Sequence, residues 1–372
     1  MSKDRPRYLR AQVLADLDQK MVFLSGPRQV GKTTLARGLP GGKAGYLNWD
    51  DGRDRERILK RRLPIASLWV FDEIHKYRAW RGYVKGVFDT RQSTQRILVT
   101  GSGRLDYYRH GGDSLQGRYH LLRLHPFSVA ELGASRRDVR DLLTLGGFPE
   151  PFLSGSLTAA RRWSSQYRSR VVQDDVATLE RVQDLGAVES LMLRLPDLVG
   201  SPLSLNGLRE DLLVSHKTVS TWLDVLERVY AVFRVAPFGA PRIRAIKKAQ
   251  KHYHWDWSAV PELGPRFENL VASHLLKWVH YRHDVEGVDL ELRYFRDVDG
   301  REVDFVVTER KTPVLMVECK ASDRDVALGL RYLKGKFPTC AAWQVSADGT
   351  RDYQTPEGIR VSPGHALLAT LV

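Results

Sequence analysis

Short apolar runs alternate with longer polar stretches over the first part of the chain, and this pattern predicts an α/β arrangement. Runs of apolar residues at Met21–Leu24, Leu68–Phe71 and Ile97–Val99 each stop at a polar residue. Such runs are typical of short buried strands. The charge-dense stretch at 53–62 between two of them reads as an exposed helix. Strands alternating with helices favour a parallel sheet.

The pattern changes twice further along the chain. Residues 157–200 carry apolar side chains three and four positions apart, which predicts helices. From Pro265 onward a helix with one apolar face is expected, followed by strands at 290–296, 302–307 and 313–320. We therefore predict three domains, which comprise residues 1–150, 151–255 and 256–372.

One loop of the first domain carries a specific phosphate-binding pattern. The pattern G-x-x-x-x-G-K-[ST] is matched by Gly26, Pro27, Arg28, Gln29, Val30, Gly31, Lys32 and Thr33, and Thr34 follows. A predicted strand precedes the loop and a predicted helix follows it, which is the context such a loop requires. Its backbone N–H groups would surround a phosphate, Lys32 would reach the β- and γ-phosphates, and Thr33 would ligate Mg²⁺. The sequence thus predicts binding of ATP and Mg²⁺.

Candidate catalytic residues stand at the ends of the next strands. Asp72 is expected to hold Mg²⁺ and Glu73 to polarise the attacking water. Thr100 and Ser102 are both candidates to sense the γ-phosphate, with an ordinary turn as the alternative. Arg118 follows a glycine, and it is either an arginine that acts on a neighbouring subunit or a plain surface residue.

Together these motifs resemble those of prokaryotic AAA-type ATPases that carry a C-terminal domain called DUF4143. The resemblance rests on the phosphate-binding loop, Phe71–Lys76 with Trp80, Thr100–Ser102, Gly117–Arg118, Pro126–Ser128 with Glu131, and Gly146–Glu150. It implies an AAA+ core, places Ser102 at the sensor position and makes Arg118 an arginine finger. A finger that acts in trans implies a homo-oligomer, which we expect to be a ring such as a hexamer.

A helix–turn–helix pattern is predicted in the middle region. Asn206 is expected to cap a helix that runs to Leu213, and a second helix is expected from Lys217 to Leu226. A strand at 230–235 would complete a winged variant. The start of the second helix suits DNA contacts, although winged helices also serve as protein–protein lids in ATPases. The candidate DNA-binding residues there are Ser215, His216, Lys217, Ser220 and Thr221.

Acidic residues and a lysine in the last domain resemble the PD-(D/E)xK nuclease core. Asp304 lies on one predicted strand, Glu318 and Lys320 lie on the next, and Glu268 lies on the preceding helix. Residues two apart on a strand face the same side, so Glu302 shares the face of Asp304. Asp304 and Glu318 would bind Mg²⁺ while Lys320 orients the water. The pattern predicts a restriction-endonuclease-like domain, and leaves open whether it cleaves DNA or serves only in binding or assembly.

Charge narrows the class of partner. The 372 residues carry a formal net charge of +14, which favours DNA or another polyanion, with a generally basic proteome as the alternative. A basic segment without acidic residues comprises Arg234, Arg242, Arg244, Lys247, Lys248 and Lys251, beside Tyr253, Trp255 and Trp257. Basic and aromatic residues together suit a nucleic-acid groove, and a basic loop leading into a strand is the alternative.

The cysteine content and the lack of long apolar runs indicate the cellular compartment. Two cysteines without metal-ligand spacing indicate neither a disulfide framework nor a zinc site. The first residues have no apolar leader and no apolar run is long enough to cross a membrane, so we expect a cytoplasmic protein without a membrane partner.

The predicted fold class is α/β: a P-loop AAA+ core with a parallel sheet, a helical and winged-helix middle region, and a restriction-endonuclease-like C-terminal domain. The predicted function is Mg²⁺-dependent ATP hydrolysis coupled to binding and remodelling of DNA, with metal-dependent DNA cleavage left open. The alternative is a nucleotide-dependent switch or scaffold in a defence or regulatory system, with an inactive nuclease-like domain.

Overall fold

A computed structural model describes residues 6–102, 105, 115–177, 184–239 and 249–372. The chain divides into two compact units, Ser2–His125 and Pro126–Val372. This division differs from the boundaries predicted at residues 150 and 255. The reason is that the segment after residue 125 contacts the C-terminal part of the chain, where Val129 N donates to His274 Nε2 at 3.0 Å. The middle region also contributes strands to the C-terminal sheet.

The described part of the N-terminal unit contains a five-stranded parallel sheet. The helices are α1 (Arg10–Leu17), α2 (Lys32–Arg37), α3 (Gly52–Leu59) and α4 (Trp80–Thr90), with a 3₁₀ turn at Ile74–Lys76. The strands are β1 (Met21–Ser25), β2 (Tyr46–Asn48), β3 (Leu68–Asp72), β4 (Arg96–Gly101) and β5 (Tyr119–Arg123). Their spatial order is β2-β3-β4-β1-β5, and each neighbouring pair is parallel. All carboxyl ends therefore meet at one edge, where open parallel sheets bind ligands.

The apolar runs form the centre of this sheet, as predicted. Each residue of β1 is buried, and so is each residue of β4 after Arg96. Phe23 and Phe71 belong to one apolar cluster that α4 covers with Trp80 and other side chains. Strands covered on both faces read as continuous apolar runs, which is why the sequence pattern locates them well.

The second unit surrounds a mixed eight-stranded sheet in the described residues. Its first helices are α5 (Val129–Leu132), α6 (Arg136–Leu145), α7 (Pro149–Ser154), α8 (Leu157–Arg170), α9 (Leu185–Arg194), α10 (Leu205–Asp211) and α11 (His216–Arg228). A π-helical segment, Val171–Val176, follows α8, and 3₁₀ turns stand at Leu195–Leu198 and Trp257–Ala259. The later helices are α12 (Leu263–Glu286), α13 (Leu328–Lys336) and α14 (Gly364–Leu368).

The strands of this sheet come from both the middle and the C-terminal parts of the chain. They are β6 (Val232–Pro237), β7 (Lys251–His254), β8 (Leu290–Arg296), β9 (Glu302–Glu309), β10 (Thr312–Lys320), β11 (Ala341–Ser346), β12 (Tyr353–Gln354) and β13 (Ile359–Pro363). Their spatial order is β12-β13-β11-β10-β9-β8-β6-β7. Strand β6 pairs with β7 in antiparallel and with β8 in parallel orientation. The strand expected as the wing of a winged helix is thus continuous with the C-terminal sheet.

The helix–turn–helix pattern is present as α10 and α11, with different caps. Ser204 Oγ accepts a hydrogen bond from Gly207 N at 3.1 Å, and Asn206, the expected cap, lies inside the helix. Ser215 caps α11 by accepting from Thr218 N at 3.1 Å. The prediction of Asn206 as the cap is therefore wrong, and serine serves as well as asparagine at this position.

No helix in the described ranges combines the length and the apolar character needed to cross a membrane.

Candidate functional site

The loop after β1 needs glycine at two positions of its backbone. Gly26 has a φ of 148° and Gly31 a φ of 101°, a region that side chains disfavour. A Cβ on Gly26 would also lie 2.3 Å from the carbonyl oxygen of Leu124. The two fixed glycines of the sequence pattern therefore match requirements of the backbone itself.

Arg7 supports this loop, although no motif in the sequence points to it. Its Nη1 donates to the carbonyl oxygen of Val30 at 2.7 Å, and its Nη2 donates to that of His125. The guanidinium group thereby joins the phosphate-binding loop to the segment that follows β5. Arginine suits this task because its donors are held in a rigid fork.

The predicted phosphate-binding lysine lies inside the loop. Lys32 is the first residue of α2 and is buried, and its Nζ donates to the carbonyl oxygens of Gly26 at 2.8 Å and Pro27 at 2.7 Å. The remaining loop residues differ in exposure: Val30 is buried, Arg28 and Thr33 are half-buried, and Gln29 and Thr34 are exposed.

Three hydroxyl groups converge on Asp72 at the end of β3. Thr33 Oγ1 and Tyr46 Oη donate to its Oδ2 at 2.8 and 2.6 Å, and Thr100 Oγ1 donates to its Oδ1 at 2.5 Å. The predicted ligands Thr33 and Asp72 are therefore neighbours. Their donor set consists of oxygen atoms, which is the set that Mg²⁺ prefers, so these residues fit a magnesium ion.

Tyr46 is a member of this site that sequence reasoning missed. Burial and the hydrogen bond to Asp72 raise the pKa of Tyr46 well above its usual value, so its hydroxyl remains a donor. Its position at the start of the strand next to β3 is the only signal that the sequence offers.

Glu73 is held by the end of β4. Its backbone has a φ of 57°, and its N–H donates to the carbonyl oxygen of Thr100 at 2.9 Å. Its carboxylate accepts from Ser102 N at 3.0 Å and from Ser102 Oγ at 3.3 Å. The two sensor candidates thus contact different acids, because Thr100 contacts Asp72 and Ser102 contacts Glu73.

Two basic side chains also approach Glu73. His75 Nε2 lies 3.7 Å and Lys76 Nζ 3.6 Å from its Oε2, and Lys76 additionally pairs with Asp50 at 2.5 Å. Burial lowers the pKa of His75, which favours a neutral ring. Both residues follow Glu73 closely in the sequence, but the sequence does not show that their side chains approach its carboxylate.

Arg118 lies at the opposite edge of the sheet. It precedes β5, and its carbonyl oxygen accepts from Met21 N, at the amino end of β1. The phosphate-binding loop leaves the carboxyl end of β1, so Arg118 does not share an edge with the loop of its own chain. Its Nε lies 2.9 Å from Asp89 Oδ1 on α4, and its side chain is 31% exposed.

The four residues predicted for the nuclease-like site come together in the C-terminal unit. Val317 of β10 lies opposite Phe305 of β9, which places Glu318 beside Asp304 on the same face of the sheet. Asp304 N donates to Glu318 Oε2 at 3.4 Å, and Lys320 Nζ donates to Glu318 Oε1 at 2.6 Å. Glu268 on α12 is connected to these residues by Lys251, which the sequence analysis assigned to a DNA-binding segment.

Lys251 is the first residue of β7. Its Nζ lies 3.1 Å from Glu268 Oε1, 2.6 Å from Glu302 Oε1 and 3.3 Å from Asp304 Oδ1. Its side chain is 0% exposed. We call Lys251, Glu268, Glu302, Asp304, Glu318 and Lys320 the carboxylate cluster.

The carboxylate cluster does not fit the predicted Mg²⁺ site at Asp304 and Glu318. An ammonium group stands among the oxygens that a cation would need, and Asp304 Oδ2 is engaged by Cys319 N at 2.9 Å. Within the described ranges, no group of three or more His, Cys, Asp or Glu residues is arranged to hold a metal ion. Lys251, which the sequence pattern does not include, therefore stands against the predicted metal ligands Asp304 and Glu318.

Electrostatics agree with this arrangement. Burial by itself would lower the pKa of Lys251, but the charges of Asp304, Glu268 and Glu302 outweigh it and raise the pKa above its usual value. Burial, and then the charge of Asp304, raise the pKa values of Glu268 and Glu318. Lys251 therefore stays charged, while these two glutamates hold protons more tightly than usual.

The predicted DNA-binding residues divide into exposed and buried sets. Ser215, His216, Lys217 and Thr221 are exposed around the start of α11, and Ser220 is half-buried. Arg234 instead pairs with Asp224 and Glu227 of α11, each at 2.6 Å. The side chains of Tyr253, Trp255 and Trp257 are buried in the core, and Arg242, Arg244, Lys247 and Lys248 lie outside the described residues. A basic and aromatic groove at Lys251–Trp255 is thus excluded, because these side chains face the interior.

Comparisons with protein families match three segments of the chain. Residues 18–133 match the model of an AAA domain (AAA_14). Residues 136–265 match a domain of unknown function, DUF8612, and residues 263–367 match another, DUF4143. The resemblance to AAA-type ATPases with a C-terminal DUF4143 domain is confirmed to this extent. The segment 18–133 is thus similar to AAA domains, which supports nucleotide binding and ATP hydrolysis in general.

Individual relatives add little beyond this assignment. An uncharacterized protein of Mycobacterium tuberculosis and one of Mycobacterium bovis are each 24% identical over 333 residues, which are 83% of this chain and 74% of each relative. A Walker-type ATPase of Pyrococcus abyssi is 15% identical, with a TM-score of 0.42 over 72% of this chain and 96% of that one. This structural likeness is distant, so the assignment rests on the family match.

Proposed function

We propose that this chain is an Mg²⁺-dependent ATPase that acts as a homo-oligomer and couples hydrolysis to DNA binding. The observation that carries the proposal is the convergence of Thr33, Thr100 and Tyr46 on Asp72, with Glu73 beside it. This arrangement stands at the carboxyl edge of a parallel sheet, directly after a glycine-dependent phosphate-binding loop.

The residues divide the work of the reaction among themselves. The loop N–H groups from Gly26 to Thr33 bind phosphate oxygens, and Lys32 exchanges its loop carbonyls for the β- and γ-phosphates. Thr33 would hold Mg²⁺ directly and Asp72 would hold it mostly through water. Bound Mg²⁺ supplies neutralisation of the charge that develops on the phosphates. Glu73 polarises the attacking water, and Ser102 fixes the carboxylate that does so.

Arg118 supplies the argument for a homo-oligomer. It stands at the amino edge of the sheet while the phosphate-binding loop stands at the carboxyl edge. An arginine that stabilises the transferred phosphoryl group would therefore have to act on the loop of a neighbouring subunit. A ring, such as a hexamer, gives each loop such a neighbour because a head-to-tail interface closes on itself.

The Glu73→Gln variant tests the catalytic assignment. It should bind ATP with unchanged affinity and hydrolyse it about 10²- to 10⁴-fold more slowly, the usual range for loss of a general base. Binding of a fluorescent ATP analogue and phosphate release are measured in parallel. Glu56→Gln on α3, an exposed glutamate that pairs with Lys60, is the matched control. Wild-type turnover by Glu73→Gln would remove Glu73 from the mechanism.

DNA binding is supported by the exposed start of α11 and by the net charge. His216 and Lys217 stand exposed on the first turn of the second helix of a helix–turn–helix arrangement. In such motifs the start of the second helix contacts DNA, and a charge of +14 attracts phosphates without regard to sequence.

Replacing Lys217 by Glu tests this surface. Duplex affinity should fall at low salt, and the slope of log K against log salt should become less steep by about 0.9 for the phosphate contact that is lost. Lys60→Glu, the same charge change on α3, should leave slope and affinity as in the wild type. Equal behaviour of the two variants would place DNA on another surface.

The role of the C-terminal domain is either DNA cleavage or binding and assembly. The placement of Asp304, Glu318, Lys320 and Glu268 supports a nuclease-like arrangement, but Lys251 removes the support for a catalytic metal. The function favoured for this domain is binding or assembly, as in the alternative of a switch or scaffold. Cleavage of single-stranded, duplex and branched DNA with Mg²⁺ or Mn²⁺ tests it, and none is expected.

A further inference from the structure

The number of carboxylate partners around Lys251 equals the number of its N–H donors. A lysine ammonium has three N–H donors and no acceptor. Lys251 has three carboxylate partners, which are Glu268, Glu302 and Asp304, at 3.1, 2.6 and 3.3 Å. Every donor of a fully buried cation therefore has an acidic partner, which is the condition under which a buried charge is tolerated.

Further donors also reach the acids of the cluster. Glu268 Oε1 also accepts from the hydroxyl of Tyr253 at 2.7 Å, and Tyr253 stands two residues after Lys251 on the same face of β7. Glu318 accepts from Lys320 and from the backbone of Asp304. Strand β7 thus delivers two donors to an arrangement of acids that comes from α12, β9 and β10.

A divalent cation and the lysine compete for the same atoms. Mg²⁺ would need carboxylate oxygens at ~2.1 Å, close to octahedral geometry, in the space that Lys251 Nζ now shares with three of them. Two positive charges at this separation would also repel each other strongly in a buried site. The cluster can accept one cation at its centre, and the chain supplies that cation itself.

We propose that the ammonium group of Lys251 takes the place of a divalent cation in this cluster, so that the C-terminal domain binds no catalytic metal there. The acids then join β7, α12, β9 and β10 into one ion-paired core. The proposal goes beyond the ATPase function and does not depend on it, since the ATP site lies in the other unit.

Binding of Mn²⁺ tests the proposal, with the full-length protein free of nucleotide. Electron paramagnetic resonance titrations compare wild type with Asp304→Asn. The two isotherms should coincide, because any Mn²⁺ that binds does so away from Asp304. Removal of the lysine in Lys251→Ala should add one Mn²⁺ site, and the double variant Lys251→Ala/Asp304→Asn should lose it again.

Lys277→Ala is the matched control. Lys277 is also a fully buried lysine in a carboxylate contact, 2.8 Å from Glu131 Oε2, and it lies outside the carboxylate cluster. It should gain no Mn²⁺ site. An Mn²⁺ ion bound by wild type and lost in Asp304→Asn would overturn the proposal, and so would a folded Lys251→Ala that gains no site. Should Lys251→Ala not fold, the comparison of wild type with Asp304→Asn decides alone.

Discussion

The ATP site and the carboxylate cluster are built from the same chemical parts and use them in opposite ways. In the ATP site, Lys32 donates to two loop carbonyls, and Asp72 accepts from the hydroxyl groups of Thr33, Tyr46 and Thr100. In the carboxylate cluster, Lys251 stands directly among three acids. A lysine near carboxylates at strand ends therefore does not define a catalytic centre. What decides is whether its charge is kept available for a ligand or is neutralised within the protein.

The two sites also differ in completeness. The carboxylate cluster draws all of its members from one compact unit, whereas the arginine expected at the ATP site stands at the far edge of its own sheet. The carboxylate cluster is therefore complete within one subunit, whereas the ATP site is completed by another subunit in the proposed oligomer. This difference has consequences that can be measured.

The largest expected effect belongs to Arg118→Ala. ATP binding should persist, while hydrolysis should fall by about 10³- to 10⁵-fold, as for other arginines that act in trans. Asp89→Ala is the matched control, since it breaks the same ion pair but keeps the guanidinium group. If both variants lose activity equally, Arg118 is only a structural partner of α4.

Mixing subunits sharpens the same prediction. Lys32→Ala should be inactive, with a loss of about 10²- to 10³-fold or more. Mixed with Arg118→Ala it should recover part of the activity, because hybrid interfaces pair an intact loop with an intact arginine. Phosphate release is measured across mixing ratios, and the absence of recovery at every ratio would argue against action in trans.

The next largest expected effect is the loss of stability when Lys251 is removed from the carboxylate cluster. Lys251→Ala leaves three acids in mutual repulsion and should destabilise the C-terminal unit by about 3–5 kcal/mol, the range for breaking a buried ion pair. Lys277→Ala, which leaves Glu131 without this cation, should cost a similar amount. Hydrogen exchange of β9 and β10 should rise in Lys251→Ala, while ATP binding by the other unit stays normal. Unchanged exchange in these strands would show that the ion pairs contribute little.

The smallest expected effect, for a change of one pH unit, is a dependence of stability on pH. Because the pKa of Glu318 is raised in the folded chain, the native state keeps a proton above pH 4.5 that the unfolded state releases. Stability of β9 and β10 should therefore fall as the pH rises from 4.5 toward the raised pKa, by at most about 1.4 kcal/mol per pH unit. Glu318→Gln should flatten this slope in the same exchange measurement. A slope of the same size in the variant would assign it to another group.

Much of the ATP site was decided by the sequence itself. The loop at Gly26–Thr33 has fixed glycines because its backbone needs positive φ angles, and this requirement acts within a few residues. The apolar runs that end in Asp72 and Thr100 locate strands because a strand buried on both faces needs continuous apolar residues. Local rules of this kind can be read from the chain without knowing its partners.

The carboxylate cluster required the tertiary structure. Register and alternation predict that Asp304, Glu318 and Lys320 share a face, and the structure bears this out. Nothing local distinguishes Lys251 from the basic residues before it, and its sequence neighbours suggested a surface for DNA. Only the pairing of β7 into the C-terminal sheet brings its side chain to acids that stand 17, 51 and 53 positions away in the sequence. A charge is defined by what surrounds it, and for a buried charge those surroundings come from distant parts of the chain.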